Sequence, residues 1–292
     1  MTATGRSSSS GPTLGRVTAL IVNYNSGAWL ERCIRTLRGR HGRFPLIEVV
    51  DNDSSDHSAS GLPDLEGLRV RHAPRNLGFA RGVNTAARAA QSEFLLIINP
   101  DCLLLPDSLE TLVAELDAHP EAAMVSGLIF DMAGQEQRGS RRVLPSRQRV
   151  LGEVLGGTRA RIDLTDLTAP AEAAEVEAVS GACMLVRRRA FLDVGGLDKH
   201  YPMHFEDVDL MARLRQAGWS IRLQPNVIVS HAGGVSSRSR PVRVMWNKHR
   251  GLWRYLNQHP ELPWPAWNRA MWWLGIFGHA VLMLPVTLWR RR

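Results

Sequence analysis

Phe94-Leu95-Leu96-Ile97-Ile98-Asn99-Pro100-Asp101 is an apolar run closed by Asn-Pro-Asp. A run of that length without polar alternation suits a strand buried on both faces of a parallel sheet. A helix would be ended at once by Pro100. Ligands in open α/β sheets gather at the carboxyl ends of strands, and Asp101 emerges at such an end. A carboxylate there can hold a hard divalent cation that bridges the phosphates of a nucleotide. A plain turn accounts equally well for Asn, Pro and Asp, so the flanking sequence decides.

Upstream, Val17–Val22 (VTALIV) reads as a first buried strand ending in Asn23-Tyr24-Asn25. Ser26 is a candidate N-cap for a helix carrying Trp29, Ile34 and Leu37. Leu46–Val50 is a second strand, ending in Asp51-Asn52-Asp53-Ser54-Ser55-Asp56, and Leu68–Val70 a short third. Gly78–Ala90 is a helix with Phe79, Val83, Ala86 and Ala90 on one face. Downstream, a helix is expected over Pro106–Leu116, with proline in its first turn. Ala133–Ala174 loses periodicity and reads as a variable loop region with one short helix, silent about substrate. Val179–Val186 is expected as one strand, Glu206 to about Ala217 as a helix stopped by Gly218. Trp219–Leu223 and Val227–Val229 are two further strands leading to His231.

Strands alternating with helices at this spacing indicate βαβ units and a mostly parallel sheet. Polar clusters follow three strands at equivalent ends, which points to a shared nucleotide crevice. There is no G-x-G-x-x-G after the first strand and no P-loop, which argues against a dinucleotide dehydrogenase or a P-loop enzyme. The 292 residues suffice for one large domain or two smaller ones, and 44% hydrophobic with 22% charged residues is ordinary for a globular chain. A net charge of +8 suits nucleic acid, an anionic membrane or phosphate-bearing substrates, and the scattered arginines do not choose among them. Cys33, Cys102 and Cys183 are widely spaced and odd in number, so reduced thiols are expected rather than a disulfide framework or metal motif. Met1–Gly15 lacks an apolar core; it is read as disordered and not as a signal peptide.

Glu206, Asp207 and Asp209 crowd a helix start, where the helix dipole favours acids for structural reasons alone. A carboxylate kept ionised there could equally accept a proton from an attacking hydroxyl. His231 at a strand end is either a packing residue or a metal ligand through neutral imidazole.

Several motifs occur in a fixed order: Val22-Asn23-Tyr24-Asn25, Val50-Asp51-Asn52-Asp53-Ser54-Ser55-Asp56, Asn76-Leu77-Gly78-Phe79-Ala80-Arg81-Gly82-Val83-Asn84, Asn99-Pro100-Asp101, Ser180-Gly181-Ala182, Gly195-Gly196-Leu197-Asp198, Glu206-Asp207-Val208-Asp209 and His231. Each alone is weak, but from about Val17 to Ser236 their order and spacing resemble family 2 glycosyltransferases, especially the rhamnosyltransferase-like branch. The resemblance implies a GT-A fold and inverting transfer from a nucleotide sugar. It implies that Asn99-Pro100-Asp101 stands for the family's D-x-D metal motif, with Asn99 in place of the first Asp and Asp101 as the main charged ligand of Mg²⁺ or Mn²⁺. His231 matches the late metal-ligand histidine, Asp51 the carboxylate that reads the nucleobase, and Asp207 the catalytic base beside Glu206. Asn23, Asn25, Asn52, Asn76, Gly78 and Asn84 fall in the donor-binding segments. The implied donor is dTDP-L-rhamnose and the acceptor a lipid-diphosphate-linked saccharide of cell-wall or surface polysaccharide synthesis. The alternatives are another UDP- or GDP-sugar, or a non-catalytic sugar-nucleotide-binding or membrane scaffold protein. No nucleic-acid partner is expected, and oligomerisation is left open.

Residues 16–240 are accordingly expected as the GT-A domain and 241–292 as a helical extension. Met271–Trp289 is nineteen largely apolar residues followed by Arg290, Arg291 and Arg292. That length makes spanning marginal. Trp264, Trp267, Trp272, Trp273 and Trp289 with the basic flank favour a monotopic helix in the cytoplasmic leaflet, with a core helix or an oligomer contact as rivals. The expected place of the protein is cytoplasmic, at the inner face of the cell membrane.

Overall fold

The structure is a computed structural model that describes residues 13–37, 45–62, 64–155, 161–234, 241–260 and 265–289. Most of the segment expected to be disordered, residues 1–12, lies outside these, as do Trp264 and Arg290–Arg292. Thr13–Arg16 forms a single 3₁₀ turn.

The decisive run is strand β4 (Phe94–Ile98), with all five residues buried. Its side chains alternate between two cores, as a pleated strand requires. Phe94, Leu96 and Ile98 enter one cluster and Leu95 and Ile97 the other. Burial of each such side chain contributes roughly 1.5–3 kcal/mol. β4 pairs in parallel with β1 (Val17–Asn23), which pairs with β2 (Leu46–Asp51), which pairs with the edge strand β3 (Leu68–His72). On its other side lies β10 (Cys183–Arg187), antiparallel, then β6 (Ala122–Phe130), β11 (Ser220–His231) and β5 (Cys102–Leu104). β8 (Ala174–Val176) pairs with β11 off this path. A separate ribbon joins β7 (Arg141–Arg142) to β9 (Ala178–Val179).

Helices α1 (Trp29–Thr36) and α3 (Ser108–Ala118) pack on one face of the sheet. Helices α2 (Phe79–Ala89), α5 (Arg188–Asp193) and α6 (Glu206–Gln216) pack on the other. Gly82 lets α2 approach β1 so closely that a Cβ there would lie 2.8 Å from Val22. α4 (Arg147–Val154) stands apart with no buried residue. α7 (Pro241–Gln258), α8 (Ala266–Leu282) and α9 (Leu284–Trp289) complete the chain. Tyr201, Val208, Ala212, Tyr255, Leu256 and Ile276 form a third cluster that fastens α7 and α8 to α6. His259 bonds Asp209 at 2.8 Å and Arg254 bonds Asp198 at 2.6 Å, so the junction is ionic as well as apolar.

Several local expectations are corrected. Ser26 does not cap α1: its hydroxyl turns back to Asn23, and the helix starts at Trp29 behind Ala28. α3 starts at Ser108, so Pro106 lies in the preceding turn, and the left-handed Asp107 makes the entry. The run expected as one strand over Val179–Val186 is split at Ser180-Gly181-Ala182, because β9 belongs to the small ribbon and β10 to the main sheet. The two strands expected after Gly218 are one, β11, with an irregularity between Leu223 and Ile228. Within Met271–Trp289, α8 and α9 meet at Met283, across which helical hydrogen bonding continues. β6, an apolar strand in the middle of the sheet, has no counterpart in the sequence reading.

Candidate active site

The carboxyl ends of β1, β2, β4 and β11 and the start of β10 meet along one edge of the sheet, which opens into a cleft of about 1550 Å³. The three polar clusters read from the sequence lie at this edge. Asp51 is 5% exposed and ends β2. Asn23 donates to it at 2.8 Å, and the Ser54 N–H and His72 Nδ1 meet its other oxygen at 3.3 Å. Burial works to raise this carboxyl, but the bonds from Ser54, Asn23 and His72 outweigh it and hold Asp51 below the usual carboxylate value. Asn52 spans to the next loop, accepting from Leu77 N–H and donating to Gly78 C=O, both at 3.3 Å. Asn76 accepts from the Gly78 N–H at 2.9 Å. Asn52, Asn76 and Gly78 line the cleft directly. Asn25, at φ +50°, accepts from the Ser55 N–H and thereby pins the β2 loop against that of β1.

Asn84 stands elsewhere. Its amide donates to the Leu197 carbonyl at 2.7 Å and accepts from the Leu197 N–H at 2.9 Å, which staples α2 to the turn after α5. It does not line the cleft.

β11 and β5 pair so that His231 faces Cys102, and this register carries His231 to Asp101 across 130 positions of sequence. His231 Nε2 lies 3.2 Å from Asp101 Oδ1, and Asn99 Nδ2 lies 3.4 Å from the same nitrogen. Gln137 fixes the ring: its Oε1 meets Nδ1 at 2.9 Å while its amide donates to the His231 carbonyl at 2.7 Å. A proton held on Nδ1 by that oxygen leaves the Nε2 lone pair directed at Asp101, the tautomer a metal ligand needs. Cys102 is the third potential ligand of the cluster. Burial pushes its thiol well up and it donates to the Ala182 carbonyl, so it belongs to the core. A carboxylate oxygen and an imidazole nitrogen with open space beside them fit a divalent cation that shares phosphate oxygens, as Mg²⁺ and Mn²⁺ do. All three cysteines are free and buried.

Asp207 also lines the cleft, and its Oδ2 accepts from Arg142 at 2.6 Å and from the Gly181 N–H at 3.0 Å. A Cβ at residue 181 would stand 2.6 Å from that of Asp207, so the close approach requires glycine. Burial opposes ionisation of Asp207, but the charge and hydrogen bond of Arg142 and the Val208 N–H prevail and lower its pKa. Glu206 behaves oppositely. Burial, then the charge of Asp207, pushes it up to about 8, and its Oε2 is buried without a hydrogen-bond partner. At neutral pH Glu206 is therefore a neutral acid and Asp207 the carboxylate. The third acid, Asp209, is 1% exposed and consumed by Arg213, His259 and Tyr201. The backbone entering this helix is strained, with His204 and Phe205 at φ +67° and +72°.

Sequence reasoning misses Arg142 and Gln137. Both sit in the stretch read as silent about substrate, and each acts on a residue more than sixty positions away. Neither sits in a periodic segment, so nothing local marks them.

One cleft thus holds a carboxylate–imidazole pair that fits a divalent cation and a second carboxylate held ionised by an arginine. Comparisons with known proteins agree. The sequence profile described as Glycosyl transferase family 2 matches residues 18–195, and the chain belongs to that family. It is a glycosyltransferase of the rhamnosyltransferase-like branch. It is 29% identical over 262 residues, 84% of the chain and 85% of the relative, to the N-acetylglucosaminyl-diphospho-decaprenol L-rhamnosyltransferase of Mycobacterium tuberculosis. It is 26% identical to the rhamnosyltransferase WbbL of Escherichia coli, covering 81% of the chain and 91% of that protein. Among solved structures, a mannosyltransferase from Pyrobaculum calidifontis in complex with GDP-Man and Mn²⁺ superposes with a TM-score of 0.56 at 19% identity, over 94% of this chain and 72% of that one. The GT-A fold expected from the resemblance is the fold observed.

Proposed function

We propose that this enzyme transfers L-rhamnose from dTDP-L-rhamnose to a saccharide carried on a lipid diphosphate, in cell-wall or surface polysaccharide synthesis at the cytoplasmic face of the membrane. The carrying observation is the placement of an ionised carboxylate, Asp207, in the same cleft as the Asp101–His231 pair. Asp51, with Asn52, Asn76 and Gly78, receives the nucleoside: a buried carboxylate accepts from a pyrimidine N3–H and its neighbours face the ribose and phosphates. Asp101 and His231 would hold Mg²⁺ or Mn²⁺, which when bound supplies charge stabilisation to the departing diphosphate. Asp207 takes the acceptor hydroxyl proton through Oδ1, because Oδ2 is engaged by Arg142 and Gly181. Arg142 keeps that carboxylate ionised and oriented. The hydroxyl oxygen attacks the anomeric carbon on the face opposite the leaving diphosphate, so configuration inverts in one displacement.

The membrane placement rests on the C-terminal helices. Ala266–Leu288 is long and apolar enough to cross a membrane by length and composition, yet only 11% of its most apolar window is buried. Trp267, Met271, Leu274 and Leu282 are each more than 60% exposed. So much unpartnered apolar surface marks an interaction site. Ile276 and Ala280 are packed against the body, which suits a helix lying in one leaflet better than one crossing both.

The test is sugar release and transfer from dTDP-L-rhamnose, measured with and without a prenyl-diphosphate-linked acceptor. Transfer only with acceptor is expected. Asp207→Asn should cut it by about 10²–10⁴ while donor binding persists. A variant with full kcat would remove Asp207 from the mechanism. Full-length protein that stays with the aqueous phase and ignores anionic liposomes would remove the membrane.

A further inference from the structure

The same cleft carries a second set of groups that the transfer step does not use. α7 and α8 lie side by side, with Trp246 and Phe277 ring centroids 5.4 Å apart and His249 Nε2 3.0 Å from His279 Nδ1. Together they give the cleft a wall that changes character along its length. α7 contributes Arg243 and Lys248, and α8 contributes Met271, Trp272 and Gly275.

The cations of this region are unequal. Arg142 is bound to Asp207, and Arg138 to Asp163 at 2.9 Å. Arg243 and Lys248 have no carboxylate within ion-pair distance among the described residues. Lys248 is close enough to Arg138 and Arg142 that, after desolvation, their charges lower its pKa. It acts in turn on His204, which burial and then Lys248 push down to about 4. Like charges gathered in one cleft repel, and an anion seated among them removes that cost. The apolar half has the opposite need. Gly275 lines the cleft with nothing within 4 Å of a Cβ built on it, so the groove is open at that point.

We propose that Lys248 and Arg243 bind the diphosphate of the acceptor, and that its apolar chain leaves along Met271, Trp272 and Gly275 of α8. A diphosphate joined to a long hydrocarbon is the ligand chemistry that matches both halves at once. The donor diphosphate has its own place at Asp101 and His231, and a nucleotide sugar has no hydrocarbon to offer α8. The proposal rests on the glycosyl-transfer reading above, and its test can fail separately from that reading.

Binding to the full-length protein in non-ionic detergent is measured for four probes: geranylgeranyl diphosphate, geranylgeraniol, inorganic pyrophosphate, and dTDP with Mn²⁺. Wild-type protein is expected to bind geranylgeranyl diphosphate more tightly than either half-probe. Lys248→Ala combined with Arg243→Ala should weaken it by about tenfold or more, as loss of charge-assisted contacts does, and leave geranylgeraniol unchanged. Gly275→Leu, whose Cβ meets nothing within 4 Å, extends into the groove and should weaken both prenyl probes while sparing pyrophosphate. Unchanged dTDP binding in every variant reports an intact fold. Undiminished geranylgeranyl diphosphate affinity in the double variant overturns the proposal. So does an equal loss of dTDP affinity, which would give these cations to the donor. Pyrophosphate binding as tight as the prenyl diphosphate would overturn the role of α8. Wild-type protein that binds the prenyl diphosphate through these residues but no nucleotide would support this site and sink the glycosyl-transfer reading instead.

Discussion

The part of the cleft proposed to hold the donor and the part proposed to hold the acceptor are built on different principles. At the donor end, polar side chains from successive strand ends satisfy one another: Asn23 holds Asp51, Asn25 holds the Ser55 backbone, and Asn52 bridges to Leu77 and Gly78. The resulting lattice is short-range and pre-organised. Around Glu206 and Asp207, polar groups are matched less completely. Glu206 keeps a buried oxygen without a partner, and Asp207 owes its ionised state to one distant arginine. A rigid end can bind one invariant part, while an end with less completely matched polar groups and an open apolar wall can take hold of a larger and more varied one.

The sharpest way to break this contrast is at Asp101 and His231, the pair proposed to hold the divalent cation. Asp101→Ala and His231→Ala should each raise the Mg²⁺ or Mn²⁺ concentration for half-maximal activity, and Gln137→Ala, which frees the imidazole, should do so by about 10–100-fold. An unchanged metal half-saturation in all three would show that no ion sits there. Next in size, Asp51→Ala should raise donor KM by roughly the 1.5–3 kcal/mol of a lost charged hydrogen bond, and relax the choice between pyrimidine and purine donors. Equal use of both by the unaltered enzyme would contradict the pre-organised nucleoside site.

At the acceptor end the expected effects are smaller and read out in pH. The transfer step proposed above uses ionised Asp207, whose burial is overcome by Arg142, so the acid limb of the rate is expected below the usual carboxylate range. Arg142→Met should move that limb upward, because the Gly181 and Val208 N–H groups are then left to oppose burial without a cation; kcat measured from pH 4 to 9 decides it. The smallest effect concerns Glu206. Its pKa in the folded chain is raised, to about 8, by burial and then by Asp207. The folded chain therefore holds a proton that the unfolded chain releases above the ordinary glutamate value. This favours folding at low pH and is lost as pH climbs toward the raised value. Glu206→Gln should accordingly gain Tm relative to wild type as pH rises from 5 to 8. A Tm difference that is flat with pH would mean that Glu206 is ionised throughout.

The legible part of this protein was the part written in consecutive residues. FLLII followed by Asn-Pro-Asp marks a doubly buried strand and its functional end, and VTALIV and LIEVV repeat the pattern at β1 and β2. The failures are equally local. Ser26 is a fitting cap residue, but its hydroxyl found a stronger claim on Asn23. Val179–Val186 has strand composition throughout, yet Gly181 had to break it to admit Asp207.

What the sequence determined alone is the alternation of buried strands and helices, the three polar strand ends, and the acids at a helix start. Those follow from periodicity and from propensities that act within a few residues. Tertiary structure decided which acid pairs with a cation and which stays buried without one. Glu206 and Asp207 are neighbours of nearly the same chemistry, and only the arrival of Arg142 from a separate ribbon and the burial of Glu206 without a partner set their charges apart. Tertiary structure likewise brought His231 to Asp101, through the pairing of β11 with β5. Electrostatic and coordination chemistry depend on distances of a few ångströms between groups far apart in the chain, and only packing fixes such distances.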